Sequence, residues 1–176
     1  MPIKTVTSKA GKIENKEKMA EAAYQRSIEA LKKIIKTLEE GELDQETLNN
    51  LNYYFILGDN PQKQIPGEIL AHLKNTLKGL TEIPFTVEIT FFNFANPGKG
   101  DKFSIANAQF KSANQCIRYM IHEASHAFSG TQDFSERGYT DNLGKFRQPG
   151  LTREEAVNNA DGLAVFTVLH SQIALV

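Results

Sequence analysis

Cys116-Ile117-Arg118-Tyr119-Met120-Ile121-His122-Glu123-Ala124-Ser125-His126-Ala127-Phe128-Ser129-Gly130 is the stretch on which the reading of this chain turns. Ile117, Ile121, Ala124 and Phe128 recur at helical spacing, which predicts a helix with an apolar stripe that stops at Ser129-Gly130. At about 100° per residue, His122 and His126 fall one above the other on one face. Two imidazole nitrogens one turn apart can share a single metal ion. Glu123, rotated by one residue, can reach a water beside that ion without ligating the ion itself.

This is the H-E-x-x-H arrangement, in which two histidines bind zinc and the carboxylate serves as general base. Two histidines do not complete a zinc site; a third protein ligand is needed, with water in the fourth position. The nearest candidate is Asp133, in Gly130-Thr131-Gln132-Asp133. A glycine just past the helix lets the chain reverse and bring that carboxylate back toward the histidines. The expected cofactor is one Zn²⁺ per chain, held by His122, His126 and Asp133.

His122-Glu123-Ala124-Ser125-His126 followed by Gly130-Thr131-Gln132-Asp133 resembles the signature of the deuterolysin-like zinc endopeptidases, the aspzincins, which pair H-E-x-x-H with a G-T-x-D aspartate. Ala156-Val157-Asn158-Asn159-Ala160-Asp161 is similar to the N-A-D segment on the last helix of the peptidyl-lysine metalloendopeptidase branch. About 20 residues carry the motif identity, whereas the order of elements extends the likeness over most of the chain. The resemblance implies a zincin-like α+β domain, mostly helical, with a small β-hairpin or sheet beside the H-E-x-x-H helix. It also implies hydrolysis of peptide bonds by a metal-activated water, with Glu123 as the base. An edge strand beside such a helix can receive an extended substrate by strand addition.

The chain departs from the family pattern at two points. G-T-x-D-x-x-Y-G places a tyrosine where Glu136 stands, and Tyr139 follows three residues later. Either Tyr139 does that tyrosine's work from a longer loop, donating to the developing oxyanion or lining the pocket, or the role is absent and Tyr139 is an ordinary surface or core tyrosine. In the lysine-specific branch two acids on the last helix accept a lysine side chain. Asp161 matches the first, and Ala164 stands at the second. Asp161 thus reads either as a substrate-binding carboxylate, with a lysine preference next to the cleaved bond, or as a structural carboxylate bonded to the loop beneath it.

Away from the motif, residues 1–14 read as a flexible N-terminal tail and 15–176 as a single zincin-like domain. An amphipathic helix is expected from Glu14 to Glu40, closed by Gly41. A second begins at an Asp44 N-cap and stops near Gly58; Asp59-Asn60-Pro61 reads as a turn. A third helix follows Ile65-Pro66 and carries His72, read as solvent-facing or hydrogen-bonded and not as a ligand. The period then falls to two. Pro84–Phe94 and Phe103–Phe110 read as strands, and Asn96–Asp101 between them as a hairpin connection. Gly130 to about Leu151 shows no convincing helix or strand, and such a loop is functional or disordered. The last helix opens with a capping box at Thr152-Arg153-Glu154-Glu155 and runs toward the C-terminus.

The 20 basic and 21 acidic residues nearly cancel, so no global field points to nucleic acid or an anionic membrane. One cysteine, Cys116, forms no disulfide within the chain and reads as a small buried hydrophobe. The N-terminal residues have no apolar h-region, and the apolar C-terminal run is too short to span a bilayer, which takes about 20 residues. The expectation is a protein without signal peptide or transmembrane helix, either cytoplasmic or exported by a non-classical route, as a secreted effector would be. Its expected partner is a peptide or protein substrate. Two other functions stay open: a catalytically silent zincin-fold binding module, and a glutamate-zincin-type peptidase whose third ligand is Glu154 or Glu155.

Overall fold

The computed structural model describes residues 4–7, 14–58, 67–90 and 102–175. Its elements run β1 (Lys4–Thr7), α1 (Glu14–Glu40), α2 (Gln45–Phe55), α3 (Gly67–Glu82), β2 (Thr86–Thr90) and β3 (Lys102–Ala106). A 3₁₀ turn at Asn107–Gln109 leads to α4 (Ala113–Ser129), and α5 (Ser135–Gly138), α6 (Arg153–Val157) and α7 (Ala160–Leu169) complete the chain. The architecture is α+β and mostly helical. No helix among the described residues is long and apolar enough to cross a membrane.

Helix α4, the motif helix, lies at the centre, packed by α1, α3, α7 and β3. Cys116, Ile117, Met120, Ile121 and Ala124 are fully buried, which is where their helical spacing puts them. Burial at roughly 25 cal/mol per Å² of apolar surface makes this face the main force that holds the helix in place. Ser112 caps its start by accepting the Gln115 amide at 3.1 Å, and Gly130 ends it at φ 68°, a left-handed conformation that glycine adopts without strain. Helix α3 approaches α4 so closely that a Cβ at Gly79 would fall 2.1 Å from Phe128 Cγ.

The first two helices match the periodicity. Asp44 accepts the Thr47 amide at 2.8 Å, Tyr24, Leu31 and Ile34 are buried, and Gly41 ends α1 at φ 74°. The expected turn at Asp59–Pro61 and the connection at Asn96–Asp101 lie outside the described residues.

The sheet differs from expectation. Its order is β1-β2-β3 and both pairings are parallel, with Val87 opposite Phe103 and Ile89 opposite Ile105. The two later strands therefore do not form a hairpin, because a tight turn joins only antiparallel strands. Turn-forming residues between two strands mark a break in the strands but not the direction of the return. The third strand comes from the stretch expected as a loose tail: Lys4–Thr7 pairs with Thr86–Ile89, and its run of β-branched residues suits a strand.

The closing helix is also in two pieces. The capping box at Thr152 is present, but α6 stops at Val157 and Asn159 is extended (φ −83°, ψ 116°) before α7 begins. Asparagine competes for backbone hydrogen bonds and disfavours helix interiors. Here the break frees the backbone to pair with Gln132: the Gln132 amide donates to Asn158 O at 2.8 Å, and the Ala160 amide to Gln132 O at 3.0 Å.

Candidate metal and catalytic centre

His122 and His126 leave α4 on one side, one turn apart, with their rings at 82° and centroids 4.8 Å apart. After Gly130 the chain folds back. The Thr131 amide donates to Ser125 O, and the Thr131 hydroxyl meets that of Ser125 at 2.6 Å. The pairing of Gln132 with the α6–α7 break fixes the next residue, Asp133, over the histidines. His122 Nε2, His126 Nε2 and Asp133 Oδ1 lie 3.2 Å from one another, pairwise. These three residues form a group that can hold a metal ion, and they are the three expected from the sequence.

Each histidine is oriented by its other nitrogen. His126 Nδ1 donates to Thr131 O at 2.7 Å, and His122 Nδ1 donates to Asp161 Oδ1 at 3.3 Å. Both leave Nε2 facing the shared point, the tautomer that a metal-binding imidazole needs. Burial alone would lower the His122 pKa, but its hydrogen bonds to Asp133 and Asp161 and the charges of Asp161 and Glu123 outweigh burial and push it up to about 10. Asp133 responds in the opposite sense. Burial raises its pKa, but the two histidines overcome this and hold the carboxyl below the usual range.

Glu123 is 6 % exposed, and its Oε2 has no hydrogen-bond partner among the described residues. Desolvation raises its pKa above the usual carboxylate value, against the pull of both histidines. A buried carboxylate with an open lone pair beside a metal-binding group is placed to receive a proton from water. Tyr139 reaches the same place. It lines the cleft with Asp133, and burial together with the Asp133 charge raises its pKa. The displaced tyrosine thus does meet the site, carried by a loop more ordered than the sequence suggests. Residues 130–151 include α5, a Thr140–Phe146 bridge and an Asp141 turn, pinned to α2 by Tyr54 donating to Gly144 O at 2.6 Å.

Asp161 sits behind His122, 2 % exposed. Its carboxylate accepts from Arg118 Nη2 at 3.0 and 3.2 Å, from the Thr140 amide at 2.7 Å and from the Thr140 hydroxyl at 2.8 Å, besides His122. Of the two readings the sequence leaves open for Asp161, these bonds favour the structural carboxylate: every oxygen is engaged, and its position orients His122. Burial raises the Asp161 pKa, but the His122 bond and the Arg118 charge win and hold it well below the usual carboxylate range.

Arg118 is the residue whose part went unread in the sequence. It is 5 % exposed, one turn before His122 on the same helix, and also donates to Asp141 O at 3.1 Å. Its signal was available: an arginine within an apolar helix needs a buried partner, and Asp161 is the acid on another largely apolar helix. Neither Glu154 nor Glu155, the alternative third ligands, belongs to this group among the described residues, and Glu155 instead bonds Arg137 at 2.8 Å and closes its own capping box.

His122, Glu123, Asp133 and Tyr139 open on a cleft of about 280 Å³, flanked on one side by Ser104, Ile105 and Ala106 of the edge strand β3. No protein-family model matches this chain, and no curated protein matches it significantly.

Proposed function

We propose that the chain is a zinc-dependent endopeptidase, with zinc held by His122, His126 and Asp133. The observation that carries the reading is the 3.2 Å triangle of ligand atoms. Ligands of a four-coordinate zinc with bonds of about 2.0–2.1 Å stand roughly 3.3 Å apart, so the donors fit that ion with little rearrangement. Two nitrogens and one carboxylate oxygen, with Nδ1 hydrogen bonds behind both rings, also make a suitable donor set.

Zinc there would supply Lewis acidity and make a water acidic near neutral pH. The protein supplies the rest. Glu123, desolvated and open at Oε2, accepts the proton of the attacking water and passes it to the departing amine. Tyr139, on the wall of the same cleft, donates to the charge that develops on the carbonyl oxygen. Strand β3 has an edge beside the cleft on which an extended peptide can lie. The unpartnered base favours turnover over a silent binding module, which has no use for a buried carboxylate of raised pKa.

Elemental analysis of wild type and His126→Ala, together with peptide hydrolysis by wild type and Glu123→Gln, tests this. About one zinc per chain, lost in the first variant, and hydrolysis lost in the second with zinc retained, are expected. A wild type that takes up no zinc sinks the reading.

A further inference from the structure

The charges that line the cleft bear on what it accepts, given the peptidase reading above. Three acids line it: Glu123, Asp133 and Asp161. Asp133 is turned to the histidines, Asp161 is held by Arg118 and Thr140, and Glu123, 6 % exposed, is the base that meets the attacking water. None is left over to pair with a substrate side chain. Arg118 is in turn bound to Asp161. Arg147 remains. Its only ion pair among the described residues is with Glu136 at 3.3 Å, where both side chains are half exposed. Such a half-exposed surface pair is weak, so a substrate carboxylate can displace Glu136 from it.

Arg147 is fixed where it can act. Its amide donates to Tyr139 O at 2.9 Å, and its guanidinium lies over the Tyr139 ring, 5.8 Å from the centroid. Tyr139 and Arg147 line the same cleft as His122 and Asp133, so a cation stands on the wall of the space that the metal-binding group opens on. Arginine on an aromatic face presents a flat fork of donors that suits a carboxylate.

We infer that Arg147 sets the substrate preference of this cleft, and that the preference is for a carboxylate close to the cleaved bond and against lysine. The carboxylate is an aspartate or glutamate side chain, or the terminus of a short peptide. Glu136 acts as the internal stand-in that the substrate replaces.

The test uses the Glu123→Gln protein, incubated with zinc, and fluorescence anisotropy of labelled octapeptides. These carry Glu, Gln or Lys at each position in turn, with free or amidated C-termini. The expected result is binding about fivefold or more tighter for the best Glu peptide than for its Lys counterpart. Adding Arg147→Gln removes that gap, and adding Glu136→Gln widens it. If only free C-termini show the gap, the carboxylate recognised is terminal; if amidation leaves it, a side chain is recognised. Tighter binding of lysine peptides, a gap that survives Arg147→Gln, or no binding at all overturns the inference. Selective binding by a protein whose wild type cuts none of the peptides would instead count against the peptidase reading and leave the charge preference standing.

Discussion

Asp161 accepts the Nδ1 proton of His122 at 3.3 Å while Arg118 grips the far side of the same carboxylate. A residue one turn up the motif helix therefore fixes the orientation of a candidate ligand through an acid on another helix. Asp161→Asn keeps the shape but weakens the pull on His122, and partners of this kind typically contribute 10- to 100-fold in metal affinity. We expect zinc affinity, measured by competition with a chromogenic chelator, to fall by about that factor. Arg118→Met takes the cation away from a buried carboxylate that keeps only its His122 and Thr140 bonds, and should cost roughly 3–5 kcal/mol in urea unfolding, with part recovered in the Arg118→Met/Asp161→Asn double variant.

The metal-free protein should show two limits of stability against pH. His122 is raised to about 10. Its contribution is fully present below its unfolded pKa of about 6.5 and is lost as pH rises through about 10. Asp133 and Asp161 are lowered, so their contribution is present above the unfolded value of about 3.9 and is lost as pH falls below it. Urea midpoints from pH 3 to pH 10.5 should be highest in between. The upward shift of His122 favours a protonated ring at neutral pH, so zinc binding at pH 7 should release a proton from it. Calorimetry in buffers of different ionisation enthalpy reads that number directly. No proton release would show that the ring is already neutral at pH 7 before zinc binds.

Tyr139 stands on the wall of the cleft, and Tyr139→Phe removes only its hydroxyl, the group that would donate there. Loss of a donor to a developing oxyanion typically costs about 10²–10³ in kcat. We expect that drop with zinc content and KM little changed. An equal loss in kcat/KM through KM alone would make Tyr139 a wall of the cleft instead of a donor.

The local features of this molecule were legible in its sequence, and the nonlocal ones were not. His122, Glu123 and His126 follow from helical periodicity, Asp133 from the glycine that precedes it, and the Thr152 capping box from four adjacent residues. Each is decided within one or two turns of chain. The parallel pairing of β2 with β3 was missed because turn residues near 96–101 announce an interruption and say nothing of strand direction. The α6–α7 break was missed because Asn158 and Asn159 fit the helical pattern until Gln132, from another segment, claims their backbone. The engagement of Asp161 needs Arg118 and Thr140, which stand 43 and 21 residues away.

His72 makes the last such link. Its Nδ1 meets Ser129 Oγ at 2.6 Å and its Nε2 meets Asn158 Oδ1 at 2.9 Å, so one ring on α3 joins the end of the motif helix to the α6–α7 break. These are the two segments that fix the turn carrying Asp133, the first by Gly130 and the second through Gln132. The bonds are partly buried, and each is worth about 0.5–1.5 kcal/mol net. His72→Ala should therefore lower unfolding free energy by roughly 1–3 kcal/mol, with the larger figure if Asn158 is left without a partner. Because His72 touches no ligand atom of the metal-binding group, its loss should leave one zinc per chain while speeding zinc release, as the Asp133 turn loosens. Stopped-flow transfer of zinc to a chelator measures that rate. An unchanged rate with reduced stability would confine His72 to holding the helices together.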